Sequence, residues 1–283
     1  MSIDIINNHF DSIDKLLLSP TTSLNDIKGY VDNINQFPIL TFKIPPLTRV
    51  YRTRYSFDSN YFNLISDLSY PPKHKVKSYG RFNAVEQSMF YCSEDLGTSY
   101  LETINYLVKN IKQGDLFYIT VGEWEIQKEI QALVIANPNK AERYTRFEIN
   151  TGNAYDLKLG GLSGEQKEIA ELVYKKLYSY FSYSAKIGNS IYWITSLFSN
   201  KLFNAFKNLP FQVESVAYPS VASFEEGINF AFAPLMIDNN FILPKMVWRI
   251  KLIADQGENG FFNFKEIERA EGKIIGEKIK WNE

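Results

Sequence analysis

The sequence has little with which to build a metal or thiol site. One cysteine, Cys92, and two histidines, His9 and His74, stand among 283 residues. A lone cysteine forms no intrachain disulfide, and these three side chains fall short of a four-ligand zinc site. No metal and no bound cofactor is therefore expected. Neither histidine lies beside a serine or cysteine in a recognisable nucleophile signature. No Gly-x4-Gly-Lys-Ser/Thr motif is present, which argues against P-loop nucleotide hydrolysis. No apolar run approaches the roughly 18 residues of a membrane-spanning helix. The opening MSIDIINNHFDSID has neither the basic start nor the unbroken apolar stretch of a secretion signal. Charge of one sign is also missing: 31 basic against 32 acidic residues leave a formal net charge of −1. Such balance provides no overall field for nucleic acid or anionic membrane. The expectation is a cytoplasmic protein with no membrane association and no direct nucleic-acid binding.

Apolar and aromatic residues are plentiful, at 45% and 15%, enough to bury a substantial core. Ile5, Phe10, Ile13, Leu16 and Leu17 recur at helical spacing, and Ser23 is placed to cap a second helix carrying Ile27, Val31 and Ile34. Phe37-Pro38 closes that unit. Strands are expected at 48–55, 88–92, 115–126, 131–136, 213–218, 229–232 and 246–253. Helices are expected over 95–112, from Ser163 to about Tyr183 with a Ser163/Gln166 capping-box spacing, and over 190–206. Residues 56–79 and 137–151 read as polar connections, and 259–283 is amphipathic without a clear period. Separated strands and helices of this kind predict an α+β class. The expected organisation is a helical extension over 1–45, then a main domain over 46–283 with a helical insertion around 137–212.

Within GRFNAVEQSMFYCSEDLGTSYLE, from Gly80 to Glu102, a cation, a phenol and a carboxylate fall at Arg81, Tyr91 and Glu102, ten and eleven residues apart. Arg52 precedes them in VYRTR; Ser220 in YPS and Asn229 in INFAF follow. Singly, each has an ordinary reading. Arg81 suits a surface turn after Gly80, Tyr91 suits a core strand, and Ser220 and Asn229 suit turns or strand ends. Glu102 falls opposite the stripe formed by Leu96, Tyr100, Leu101, Ile104, Leu107, Val108 and Ile111, so periodicity alone makes it a solvated helix glutamate.

Taken jointly, the pattern resembles the RES family, in which an arginine, a glutamate and a serine recur in this order. The matching positions are Arg52, Arg81 in a Gly-Arg-aromatic triplet, Tyr91, Glu102, Ser220 in Tyr-Pro-Ser, and Asn229. The resemblance implies an ADP-ribosyltransferase-like fold, a mixed β core with flanking helices. It also implies degradation of NAD, by phosphorolysis or hydrolysis, as a toxin held by an Xre-type antitoxin. NAD is then the substrate, with inorganic phosphate as a possible co-substrate. Arg81 and Arg52 would clamp the pyrophosphate, Tyr91 would wall the nicotinamide, Glu102 would orient the ribose, and Ser220 and Asn229 would bind the nicotinamide or its ribose. The sequence departs from the family pattern at Ala84-Val85-Glu86-Gln87, where a Gly-rich turn is common, and at Ala222-Ser223, where a basic residue is often seen. Two other readings stay open: transfer of ADP-ribose to a protein, and a non-catalytic interaction module on the same scaffold.

Overall fold

The computed structural model describes residues 1–35, 40–107, 111–182, 190–206, 213–222, 227–256 and 262–282. Seven α-helices are placed among them: α1 (Ile3–Leu17), α2 (Leu24–Asn33), α3 (Leu96–Leu107), α4 (Arg146–Gly160), α5 (Gly164–Ser182), α6 (Ser190–Phe206) and the one-turn α7 (Leu235–Asp238). The strands are β1 (Thr41–Ile44), β2 (Arg49–Ser56), β3 (Phe90–Ser93), β4 (Leu116–Ile126), β5 (Ile130–Val134), β6 (Ser215–Pro219), β7 (Ile228–Phe232), β8 (Ile242–Gln256), β9 (Phe262–Ile275) and β10 (Lys278–Trp281). The chain is thus mixed α and β, as expected. It divides into two compact units, each assembled from separate segments: Met1–Lys43, Pro72–Met89 and Gln131–Val221 in the first, and Ile44–Pro71, Phe90–Ile130 and Ala222–Glu283 in the second. Among the described residues, no helix is long and apolar enough to cross a membrane.

The first unit is mainly helical. Ile6, Phe10 and Ile13 share one buried face of α1, and Ile27 and Val31 that of α2, the i, i+3/i+4 spacing of an amphipathic helix. Ser23 caps α2, its side chain accepting from Asp26 N while the Asp26 carboxylate accepts from Ser23 N. The Phe10 ring meets Tyr180 of α5 and Phe198 of α6, each at 6.2 Å between centroids. At the rim of this contact Asp14 accepts from Lys176 Nζ at 2.5 Å and from Tyr180 Oη at 2.7 Å. β5 and β6 pair in parallel, Leu133 with Val216 and Val134 with Ala217, and β1 lies beside β5. Tyr174 of α5 donates to the Val134 carbonyl at 2.9 Å and accepts from Ala136 N at 3.2 Å, so its buried hydroxyl is satisfied twice.

The second unit is a seven-stranded sheet in the order β7-β3-β2-β4-β8-β9-β10. Its recorded neighbours all pair antiparallel. Successive strand residues face opposite sides. Phe117, Ile119 and Val121 of β4 and Trp248, Ile250 and Leu252 of β8 form one apolar face, which Leu107 of α3 and Ile111 cover.

Several sequence expectations change. The connection expected over 137–151 contains the start of α4. Its sequence has weak periodicity, but Thr145 and Glu148 make a reciprocal capping box at its start. Glu148 is buried, with Oε2 also taking Tyr144 N at 3.1 Å. Arg143 forks onto Asp156 at 2.7 and 2.8 Å. That guanidinium fits because position 152 is glycine; a Cβ there would lie 2.1 Å from Arg143 Nε. The segment 259–283, without a clear period in sequence, supplies β9 and β10, joined across Gly276 at φ +59°. β1 has no counterpart among the sequence expectations, and β8 runs well past 246–253 at both ends. Leu101, placed on the apolar stripe, is exposed, whereas Thr98 and Ser99 are buried. Phe37-Pro38 and Val108 lie outside the described residues.

Candidate functional site

The short strands of the second unit bring a polar network together. β3 and β7 place Ser93 directly opposite Asn229 and Tyr91 opposite Ala231. Ser93 Oγ donates to Asn229 Oδ1 at 2.7 Å, and Asn229 Nδ2 donates to Glu102 Oε1 on α3. Ser93 and Asn229 are buried, while Glu102 is exposed as a residue. A solvated helix glutamate is therefore half of the description: its outer surface meets solvent, and one oxygen is fixed by a buried amide. A charge-assisted bond of this kind is roughly twice as strong as a neutral one.

The α3 start is set by Asp95, whose carboxylate accepts from Thr98 N at 2.9 Å and Thr98 Oγ1 at 2.6 Å. Gly227, just before β7, packs on that threonine so closely that an added Cβ would lie 2.0 Å from Thr98 Oγ1. Glycine at 227 thus lets the strand carrying Asn229 approach the helix carrying Glu102. Alongside, Glu94 N donates to the Ile228 carbonyl and Glu94 Oε1 accepts from Ile228 N, both at 2.9 Å. Glu94 is exposed as a residue, but local desolvation of its carboxyl, partly offset by the Ile228 amide and reinforced by the neighbouring Asp95 charge, raises its pKa to about 7.

Arg52, on β2, donates from Nη1 to the Tyr91 carbonyl at 2.5 Å, with its guanidinium 5.5 Å from the Phe90 ring centre. Its Nε is buried without a hydrogen-bond partner. Burial, and secondarily the nearby Arg54, lower its pKa to about 10, which leaves it charged at neutral pH. Arg52 thus braces the backbone at Tyr91, a half-buried residue. The neighbouring Cys92 is buried, and burial pushes its thiol pKa upward, the inert case for a cysteine.

Arg81 and Ser220 belong to the first unit. Arg81 lies within a turn closed by Gly80 N donating to Asn83 O at 3.0 Å. Its Nη1 donates to the Phe181 carbonyl and its guanidinium lies 5.9 Å from the Tyr192 ring centre. Phe82 anchors this turn, stacked on Phe181 at 4.9 Å and tilted against Tyr218 at 4.7 Å. Tyr218 is on β6, two residues before the fully buried Ser220. Phe82–Tyr218 packing therefore fixes the segments bearing Arg81 and Ser220 against each other.

Of the six sequence candidates, Arg52, Tyr91, Glu102 and Asn229 lie in the second unit, where Asn229 bonds Glu102 and Arg52 bonds the Tyr91 backbone, and Arg81 and Ser220 lie in the first. Sequence reading missed Ser93, Glu94 and Asp95, the three residues between Cys92 and α3. The Asp95-x-x-Thr98 spacing is a helix-start signal; nothing local marks Ser93 or Glu94. No curated protein and no solved structure matches the chain. Residues 49–174 do match the family model described as the RES domain, ending short of Ser220 and Asn229. The segment that carries Arg52, Arg81, Tyr91 and Glu102 is thus the part of the chain that matches the RES domain family.

Proposed function

We propose that this protein is an NAD-degrading enzyme of the toxin class that cleaves the nicotinamide–ribose bond. The observation that carries the reading is the Ser93–Asn229–Glu102 chain, which holds one carboxylate oxygen on a buried amide while the residue keeps a solvent-facing surface. Departure of nicotinamide builds positive charge on the ribose, as in glycoside cleavage. A carboxylate already oriented before substrate arrives stabilises that charge without reorganising in the transition state. In this reading Glu102 is the catalytic residue, accepting from the ribose hydroxyls and facing the developing cation. Asn229 acts through it as a positioning residue, because its amide is spent on Ser93 and Glu102. Tyr91 walls the nicotinamide, on a strand braced by Arg52. Arg81 holds the pyrophosphate, for which a guanidinium fork is well suited; Ser220, fully buried, supports its own segment and does not touch substrate. Water or inorganic phosphate then attacks the anomeric carbon: the C–N bond breaks, the electron pair leaves on nicotinamide, a C–O bond forms, and the attacking water releases a proton to solvent. The fold is read as ADP-ribosyltransferase-like, and the restraining partner as an Xre-type antitoxin.

Purified protein incubated with NAD, with and without inorganic phosphate, tests the reading by product mass. Free nicotinamide with ADP-ribose indicates hydrolysis, and with ADP-ribose 1″-phosphate phosphorolysis. Glu102→Gln is expected to keep the circular dichroism spectrum and NAD binding while losing about 10²–10³ in turnover. Near-parental nicotinamide release by that variant would remove Glu102 from catalysis. ADP-ribose appearing on protein, with little free product, would favour transfer to a macromolecule instead.

A further inference from the structure

The face of the second unit's sheet opposite the α3 core carries a separate polar cavity of about 160 Å³. Tyr118 of β4, Arg249 and Lys251 of β8, Glu268 of β9, and Ser59 and Tyr61 from the loop after β2 line it. Register explains the convergence: Tyr118 lies opposite Lys251, and Lys251 opposite Glu268. Arg249 is only 5% exposed. Its guanidinium carbon lies 3.7 Å from the Tyr118 ring centre and 4.2 Å from that of Tyr61. Aromatic rings on this cation leave its N–H edge for recognition. Tyr61 is held in turn by Trp281, 4.9 Å away between ring centroids, whose Nε1 donates to Phe62 O at 2.9 Å.

This arginine is under-satisfied. Nη2 donates to the Asp58 carbonyl at 3.2 Å, while Nε is buried with no partner. Among the described residues no carboxylate forms an ion pair with it. Burying a charge without an opposite charge is costly; the two rings and one carbonyl meet only part of that cost. Two cationic residues face one carboxylate in the cavity, so an anion restores balance. The volume decides its size: drug-sized ligands need about 300–1,000 Å³, so this space takes one small group. Glu268, an acceptor only when ionised, also calls for a ligand that donates.

We propose that this cavity binds a phosphoryl group bearing or adjoining a hydroxyl, either hydrogen phosphate or the phosphate end of a small sugar phosphate. Its oxygens accept from Arg249 and Lys251, and its O–H donates to Glu268. The site does not depend on the NAD reading, and Glu102, Asn229 and Arg81 have no part in it.

Calorimetric titration of the full chain with inorganic phosphate, ribose 5-phosphate and sulfate tests it, since sulfate has similar shape but no proton to give near neutral pH. Phosphate or ribose 5-phosphate is expected to bind saturably, and sulfate at least tenfold more weakly. Lys251→Met, at a half-buried position that disturbs the core little, is expected to weaken binding at least tenfold. Lys245→Met on the same strand, outside the cavity, leaves it unchanged, and Glu268→Gln removes the preference over sulfate. Binding of ribose 5-phosphate without inorganic phosphate, with the same variant dependence, identifies the sugar phosphate as the ligand. The proposal is overturned if no phosphoryl ligand binds, if Lys251→Met binds as the parent does, or if sulfate competes equally. Binding lost in Arg81→Met but kept in Lys251→Met would place phosphate at the proposed NAD site and also end it.

Discussion

The two ends of the second unit's sheet are built on different principles. At one end β3 and β7 are 4 and 5 residues long, and their side chains form the Ser93–Asn229–Glu102 chain. At the other, β8 and β9 run 15 and 14 residues. There charged groups pair on the surface, as Arg269 does with Glu266 at 2.8 Å. Long pairing supplies many backbone hydrogen bonds and tolerates changes in side chains, since exposed ion pairs contribute about 0–1 kcal/mol. Short strands supply few, so they depend on what their side chains do. The candidate catalytic carboxylate lies at the short end, where position is set by particular contacts rather than by length of sheet.

Substitutions at the two ends should therefore differ sharply. The largest effect is expected from Phe90→Ala. Phe90 is fully buried and meets Trp124 edge-on at 5.0 Å, and such truncations cost about 3–5 kcal/mol. Urea denaturation checks this, with Phe264→Ala, a partly buried residue of β9, as the milder counterpart. Equal losses would dissolve the contrast. Next, Gly227→Ala drives a Cβ into Thr98 and is expected to destabilise by about 1–3 kcal/mol, the usual range for overpacking. Adding Thr98→Ala should recover part of that loss, because it removes both the hydroxyl and the methyl group that the new Cβ would meet, at 2.0 and 2.7 Å; strict additivity in the double-mutant cycle would contradict the packing. Asn229→Leu leaves Ser93 and Glu102 without their shared amide, costing about 1–3 kcal/mol. It should also lower nicotinamide release, with kcat falling more than KM rises if Asn229 positions Glu102.

The smallest effect concerns pH. The Glu94 carboxyl is raised from 4.5 to about 7 in the folded chain. Between those values the native state holds a proton that the unfolded state has released, so this group's contribution is full below about pH 4.5 and lost as pH rises through about 7. Glu94→Gln should flatten stability against pH across that window, as followed by thermal melts at low salt. An unchanged slope would mean that the raised carboxyl lies elsewhere.

Much of the architecture was legible because hydrophobic period and length agree: α1, α2, α5, α6 and β4 follow directly from their apolar spacing. The missing helix α4 shows where period fails. Its stability is expressed through Glu148, Arg143 and Asp156, a polar arrangement that an apolar pattern does not record. The β9–β10 hairpin was hidden for another reason: residues such as Glu266, Glu268 and Lys273 charge both of its faces, so strict alternation is lost. At the candidate site, residue types and spacing singled out Arg81, Tyr91 and Glu102. They did not show that Asn229 turns its amide toward Glu102, nor that Arg52 spends a donor on the Tyr91 carbonyl. Those partners come from strands and a helix far apart in sequence. Arg249 was illegible altogether: within a strand pattern it alternates with apolar neighbours as any surface residue would.

Packing of Trp281 on Tyr61 gives the molecule its own optical reporter. The indole sits behind a ring that touches the Arg249 guanidinium, so a change in that cation's surroundings reaches a chromophore through one intervening phenol. Emission from this single tryptophan, isolated by subtracting the spectrum of a Trp281→Phe variant, would register occupancy of the cavity without any attached label.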